Sequence, residues 1–139
     1  MYEPDQVFNA SEAGQRMGIE STEVARLGQV IEPIGPANGR GHKATYSFRN
    51  LVEMQMFKRL NEFGIPWKQI QHYIEKLRQS SCHWLEEDGL DGWILADCEW
   101  RWAVGNTLDS ANEAFSRLHS AQAFVAINLG AIKQTFRQS

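Results

Sequence analysis

Local start and stop signals cut residues 9–78 into four short helical lengths, and this punctuation restricts the fold more than any other property of the chain. Asn9 or Ser11 can cap a helix running through Met17, with Ala13 and Met17 one turn apart on its inner face. Gly18 ends it and Ile19 plugs the turn. Ser21 then caps a second helix, with Val24 and Leu27 inward, which stops at Gly28. Two helices of about two turns, joined by a short glycine-containing turn, form the helix-turn-helix signature. Met1–Val7 reads as an extended lead-in.

Between Ile31 and Thr45 the chain carries two prolines, three glycines (35, 39 and 41) and the cations Arg40 and Lys43 beside His42. Glycine at those positions permits a tight hairpin, with Val30-Ile31 and Thr45-Tyr46 pairing as short strands. Ser47 caps the next helix, with Asn50 three residues on. Leu51, Met54, Phe57, Leu60 and Phe63 mark its apolar stripe. Phe63-Gly64-Ile65 predicts a Schellman stop, and Pro66 suits the first turn of a fourth helix. There Trp67, Ile70, Ile74 and Leu77 repeat on one face as far as Arg78.

The texture changes at Ser80. Ser80-Ser81 and Glu86-Glu87-Asp88-Gly89 predict a linker over 80–91. Trp93–Leu95 and Trp100–Val104 read as two strands, with Trp100 and Trp102 on one face as core or subunit interface. A helix follows from Thr107 or from a Ser110-x-x-Glu113 capping box, with Leu108, Ala111, Phe115 and Leu118 inward. Phe124–Leu129 alternates as a strand burying Val125, Ile127 and Leu129, and Ile132 with Phe136 mark a last helix. About 50 residues in the order ββαβα bury little surface alone, so this part is expected to dock on the first or on a second copy.

Charge is uneven along the chain. The net charge is −3, yet residues 40–78 hold eight Lys or Arg against three acids, while 81–139 hold four basic and eight acidic residues. A positive module joined to an acidic one fits a first part that meets phosphate and a second that meets something else. An apolar fraction of 42% implies a packed core. No apolar run approaches the roughly 20 residues of a membrane span. With no signal peptide at the polar N-terminus, a cytoplasmic chain with reduced cysteines is expected. Cys82 and Cys98, even with His72 and His83, match no zinc spacing, so no metal or other cofactor is expected. No paired acids, nucleophile–base set or phosphate-cradling loop points to an enzyme.

Three stretches resemble the N-terminal domain of the MerR family of transcription regulators. They are Ser-Glu-Ala-Gly-Gln-Arg-Met-Gly-Ile (11–19), Gly-His-Lys-Ala-Thr-Tyr-Ser-Phe-Arg-Asn-Leu-Val (41–52) and Lys-Arg-Leu-Asn-Glu-Phe-Gly-Ile-Pro-Trp-Lys-Gln-Ile (58–70). The resemblance covers about half the chain, and residues 92–138 look like the short α/β tail of some atypical relatives. It implies a bacterial-type regulator that dimerises on palindromic double-stranded DNA, with Ser21–Leu27 in the major groove and the hairpin as a wing on the flanking backbone. Carried over by position, the DNA-contacting residues are Arg16, Thr22, Glu23, Arg26, Arg40, His42, Lys43, Tyr46 and Arg49. The family usually has Arg where this chain has Thr22 and Ala25, and an aromatic pair at Arg26-Leu27. Its wing also spans one residue fewer between the equivalents of Gly41 and Tyr46. Typical relatives dimerise through a long coiled coil after the fourth helix; here Ser80-Ser81 and the acidic stretch interrupt such a helix.

The expected fold is therefore α+β. A MerR-like winged helix-turn-helix, four helices with a β wing, occupies 1–79; 80–91 links it to a ββαβα oligomerisation or partner-binding module at 92–139. The expected function is sequence-specific DNA binding by a dimeric transcription regulator. The alternative is a protein-interaction adaptor that retains the winged-helix fold without base-specific recognition, as the acidic net charge and missing helix arginines suggest.

Overall fold

Two strand fragments immediately before two helix caps tie the first half of the chain together. In the computed structural model, which describes residues 7–31, 44–121 and 123–137, β1 (Val7–Phe8) pairs antiparallel with β2 (Tyr46–Ser47), Val7 opposite Ser47 and Phe8 opposite Tyr46. β1 runs into Asn9, the N-cap of α1 (Ala10–Met17), and β2 ends on Ser47, the N-cap of α3 (Phe48–Glu62). Both caps are reciprocal. Glu12 N donates to Asn9 Oδ1 at 2.8 Å while Asn9 N donates to Glu12 Oε1 at 3.0 Å, and Ser47 and Asn50 exchange the same pair of bonds at 3.1 Å each. The strand expected at Val30-Ile31 is instead a turn, because Ile31 N donates back to Leu27 O at 2.8 Å. Phe8, 2% exposed, takes the place beside Tyr46.

Helix α2 (Ser21–Leu27) starts one residue earlier than its serine suggested. Glu20 is the N-cap and makes no side-chain cap bond; its carbonyl accepts from Glu23 N and Val24 N at 3.0 and 3.2 Å. Helix α3 is the centre of the molecule. Phe48, Leu51, Val52, Met54, Met56, Phe57 and Leu60 are all buried, on nearly every side. Its Schellman exit forms as expected, Ile65 N donating to Leu60 O at 3.1 Å and Gly64 N to Asn61 O at 3.0 Å. That turn throws Phe63 outward to 63% exposure, so the stripe ends at Leu60. Helix α4 (Trp67–Gln79) buries Ile70, Tyr73, Ile74 and Leu77, but Trp67, at its first residue beside the same turn, is 47% exposed.

A three-stranded antiparallel sheet of order β4-β3-β5 makes the second layer, from β3 (Trp93–Ala96), β4 (Trp102–Gly105) and β5 (Val125–Asn128). Ile94 stands opposite Val104 and Ile127 on the face that joins the helical core. On the other face Leu95 and Ala103 pack with Ala111 and Phe115 of α5 (Leu108–Leu118) as a separate small core. Leu108 and Leu118 were expected inward; as the first and last residues of α5 they are 43% and 69% exposed and lie outside that small core. Helix α6 (Leu129–Arg137) returns against α3 and α1. Its buried Lys133 donates to Leu90 O at 3.0 Å and lies 3.5 Å from the Asp91 carboxylate. Desolvation lowers the Lys133 pKa, with Asp91 opposing the shift.

The stretch expected to be a linker contributes Trp84 and Leu85, 7% and 1% exposed, to the same core as Phe8 and Phe136. The described chain is thus α+β, with six helices and two small antiparallel sheets among the described residues. Among those residues no helix is long and apolar enough to cross a membrane.

Trp100 lies in the β3–β4 turn, not on the strand, with φ at +67°. Both tryptophans still face α4: Trp100 meets His72 edge-on at 5.6 Å and Trp102 stacks on Tyr73 at 5.1 Å. Burial, then the charges of Asp97 and Cys98, raise the Tyr73 pKa to about 12. The unfolded chain releases this proton near pH 10, about two units earlier. In that window the native state binds more protons, so stability falls as pH rises from about 10 to 12. Tyr73→Phe is expected to shrink this alkaline loss in denaturant midpoints, leaving the part due to Tyr46, whose pKa burial also raises.

Candidate nucleic-acid interface

The surface best suited to enter a groove is the outer side of α2. Val24 and Leu27 are buried at 0% and 2% exposure, leaving Ser21, Thr22, Ala25 and Arg26 exposed on the opposite side. The turn that presents this helix is tight. Gly18 closes α1 at φ +73°, in the left-handed region that favours glycine. A Cβ on Gly14 would lie 2.6 Å from Ile19 O and 3.5 Å from Ser21 N, so only glycine lets the start of α2 approach α1 so closely. An open cleft lined by Ser11, Gln15, Glu20 and Glu23 follows this junction. The exit is fixed from α4, where Gln71 Nε2 donates to Val30 O at 3.0 Å. Nothing in the sequence distinguishes that glutamine from any other helical one.

Three of the nine residues singled out in the sequence share this surface: Thr22, Glu23 and Arg26. Arg26 Nη2 lies 3.5 Å from Glu23 Oε1, with the Arg26 side chain 67% exposed. Such an exposed pair contributes at most about 1 kcal/mol and opens readily for a better partner. Glu20 and Glu23 against Arg26 leave the helix slightly acidic, a surface that suits hydrogen-bond donors better than phosphate.

Three others lie elsewhere. Arg16 donates through Nη1 to Phe136 O at 3.0 Å and stacks over the Phe8 ring at 4.9 Å, joining α1 to α6 and β1. Tyr46 is 2% exposed, its hydroxyl against the α2 exit where a Cβ on Gly28 would lie 2.7 Å from it. Its ring is a strut beneath α2, not a surface for DNA. Arg49 lies between carboxylates, 3.5 Å from Glu53 and 3.4 Å from Glu86. Its charge is already matched by α3 and the 80–91 stretch. Arg40, His42 and Lys43 lie outside the described residues.

No sequence signal marks Gln69. Buried on α4, it donates through Nε2 to Cys98 O at 2.8 Å and accepts at Oε1 from Trp100 N at 3.1 Å and Tyr73 Oη at 3.3 Å. It therefore clips the β3–β4 turn to the helical layer. Cys82 and Cys98 are free thiols, half-buried and exposed respectively. Among the described residues no group of three or more His, Cys, Asp or Glu could hold a metal ion. No family model matches this chain, and no curated protein matches it.

Proposed function

We propose that the chain is a sequence-specific DNA-binding transcription regulator, a MerR-like winged helix-turn-helix acting as a cytoplasmic dimer. The observation that carries the reading is α2: a seven-residue helix pressed against α1 through Gly14, with Thr22, Ala25 and Arg26 facing solvent. In this reading Thr22 and Glu23 meet base edges, Arg26 meets guanine or phosphate, and Arg40, His42 and Lys43 grip the flanking backbone. Residues 92–139 serve a second copy or a protein partner. The acidic bias of α2 favours the rival reading, in which the same surface contacts a protein.

Binding of the full chain to random-sequence duplex DNA at two salt concentrations separates the two. The double change Arg40→Ala, Lys43→Ala is expected to weaken binding to all sequences and to flatten the log–log salt slope by about 2 per protomer. Glu23→Ala is expected to change sequence preference with little change in slope. Absence of DNA binding at low salt would leave the adaptor reading. Dimerisation is tested by sedimentation of the whole chain over a concentration range. Deleting 92–139 is no clean alternative, because Ile94, Ile127, Leu129 and Phe136 belong to the core around α3.

A further inference from the structure

At the junction of α1, α3 and α6 lies a small cavity of about 180 Å³. It is lined by the apolar Met17, Ile132 and Phe136 and by the polar Arg16, Gln55, Arg59 and Thr135. This volume is below the ~300–1,000 Å³ of drug-sized sites, so an occupant would be metabolite-sized. The charge around it is unbalanced. Arg16 makes no carboxylate contact within 4 Å among the described residues; its guanidinium meets the Phe136 carbonyl and the Phe8 ring. Arg59 Nη1 lies 3.3 Å from Glu62, but the same carboxylate is held by Lys58 at 2.7 Å, so one cation of that trio is left over. Half-buried Gln55 also lines the cavity, and its Oε1 has no hydrogen-bond partner among the described protein groups.

We propose that this cavity binds a small organic carboxylate whose apolar body carries a hydroxyl group. Arg16 and Arg59 both line the cavity, and a guanidinium suits a planar carboxylate. The apolar lining favours a hydrocarbon body over a fully hydrated inorganic anion. A ligand hydroxyl supplies the donor that the Gln55 carbonyl lacks, after a turn of its terminal torsion. Because Arg16 belongs to α1 and Ile132, Thr135 and Phe136 to α6, the ligand would join the first helix of the chain to its last. This assignment does not depend on what α2 contacts.

The test is titration of isotope-labelled full-length chain with millimolar 4-hydroxybenzoate, followed by amide shifts. Expected are saturable shifts centred on Gln55, Ala131 and Thr135, weaker binding of benzoate, and no binding of the uncharged 4-hydroxybenzamide. Arg59→Gln, at a half-exposed position, should weaken binding about tenfold, as expected for one charge-assisted bond. Ala131→Phe, on the exposed rim of the cavity, should abolish it while leaving the melting temperature in place. Equal binding of the amide, displacement by equimolar inorganic phosphate, indifference to Ala131→Phe, or no saturable shift with 4-hydroxybenzoate would each overturn the proposal.

Discussion

Replacing Arg78 by alanine is expected to destabilise the chain by about 3–5 kcal/mol, the range for breaking a buried ion pair by removing one partner. Glu53 sits on the central helix at 0% exposure. Arg78, from α4, donates to both its oxygens, Nε to Oε2 at 2.6 Å and Nη2 to Oε1 at 2.7 Å. This bidentate fork has the strongest geometry available to a carboxylate. Without it Glu53 keeps the Asn50 amide at 3.0 Å and Arg49 at 3.5 Å, the latter without hydrogen-bond geometry. Neither restores the solvation that an ionised carboxylate loses in the core. The double variant Arg78→Ala, Glu53→Met should recover much of the loss, since an apolar replacement removes the stranded charge along with its partner. Denaturant unfolding of the two variants measures the difference. A loss below about 1 kcal/mol for the single variant would place the pair with exposed ion pairs, contrary to the burial of Glu53.

Contacts between near neighbours were legible in the sequence; contacts between distant segments were not. Asn9 with Glu12, Ser47 with Asn50, and Thr107 with Ser110 cap helices through bonds spanning three residues, so residue type marked Asn9, Ser47 and Thr107 as caps, though Ser11 and a Ser110–Glu113 box competed with two of them. The exits at Gly18 and Gly64 were readable for the same reason. Helical periodicity also placed Thr22, Glu23 and Arg26 on one side of α2. It failed for Phe63 and Trp67, which flank the turn after α3, and for Leu108 and Leu118 at the two ends of α5, because a periodic pattern does not show where the packed layer stops. Tyr46 has the composition of a surface contact until Gly28 is known to lie on its hydroxyl. Arg16 bonds a carbonyl 120 positions away, and no window along the chain contains both. Arg49, read as a phosphate contact, faces Glu53 four residues on and Glu86 across the fold. Only the first of those partners was visible as a helical neighbour.

The acidic stretch with its glycine shows the same limit at larger scale, and Gly89→Ala measures it. A flexible linker would tolerate alanine within about 0.5 kcal/mol. The structure predicts a loss of about 3 kcal/mol or more, beyond ordinary overpacking. A Cβ at position 89 would lie 1.8 Å from His83 O and 2.6 Å from its carbonyl carbon, a collision with backbone that no rotamer relieves. The surrounding turns are closed by Glu86 N to His83 O at 3.0 Å, Gly89 N to Glu86 O at 3.2 Å and Leu90 N to Cys82 O at 3.1 Å. They hold Trp84 and Leu85 in the core. Displacing them would pull on α6 through Leu90 O and Lys133, and on α3 through Glu86 and Arg49. Asp88→Ala, one residue earlier and exposed, should be silent and serves as the control. Equal stability of the two variants would mean that residues 80–91 are not packed this way. A loss confined to Gly89→Ala, unfolding in one cooperative transition, would mean that the acidic stretch is part of the shared core.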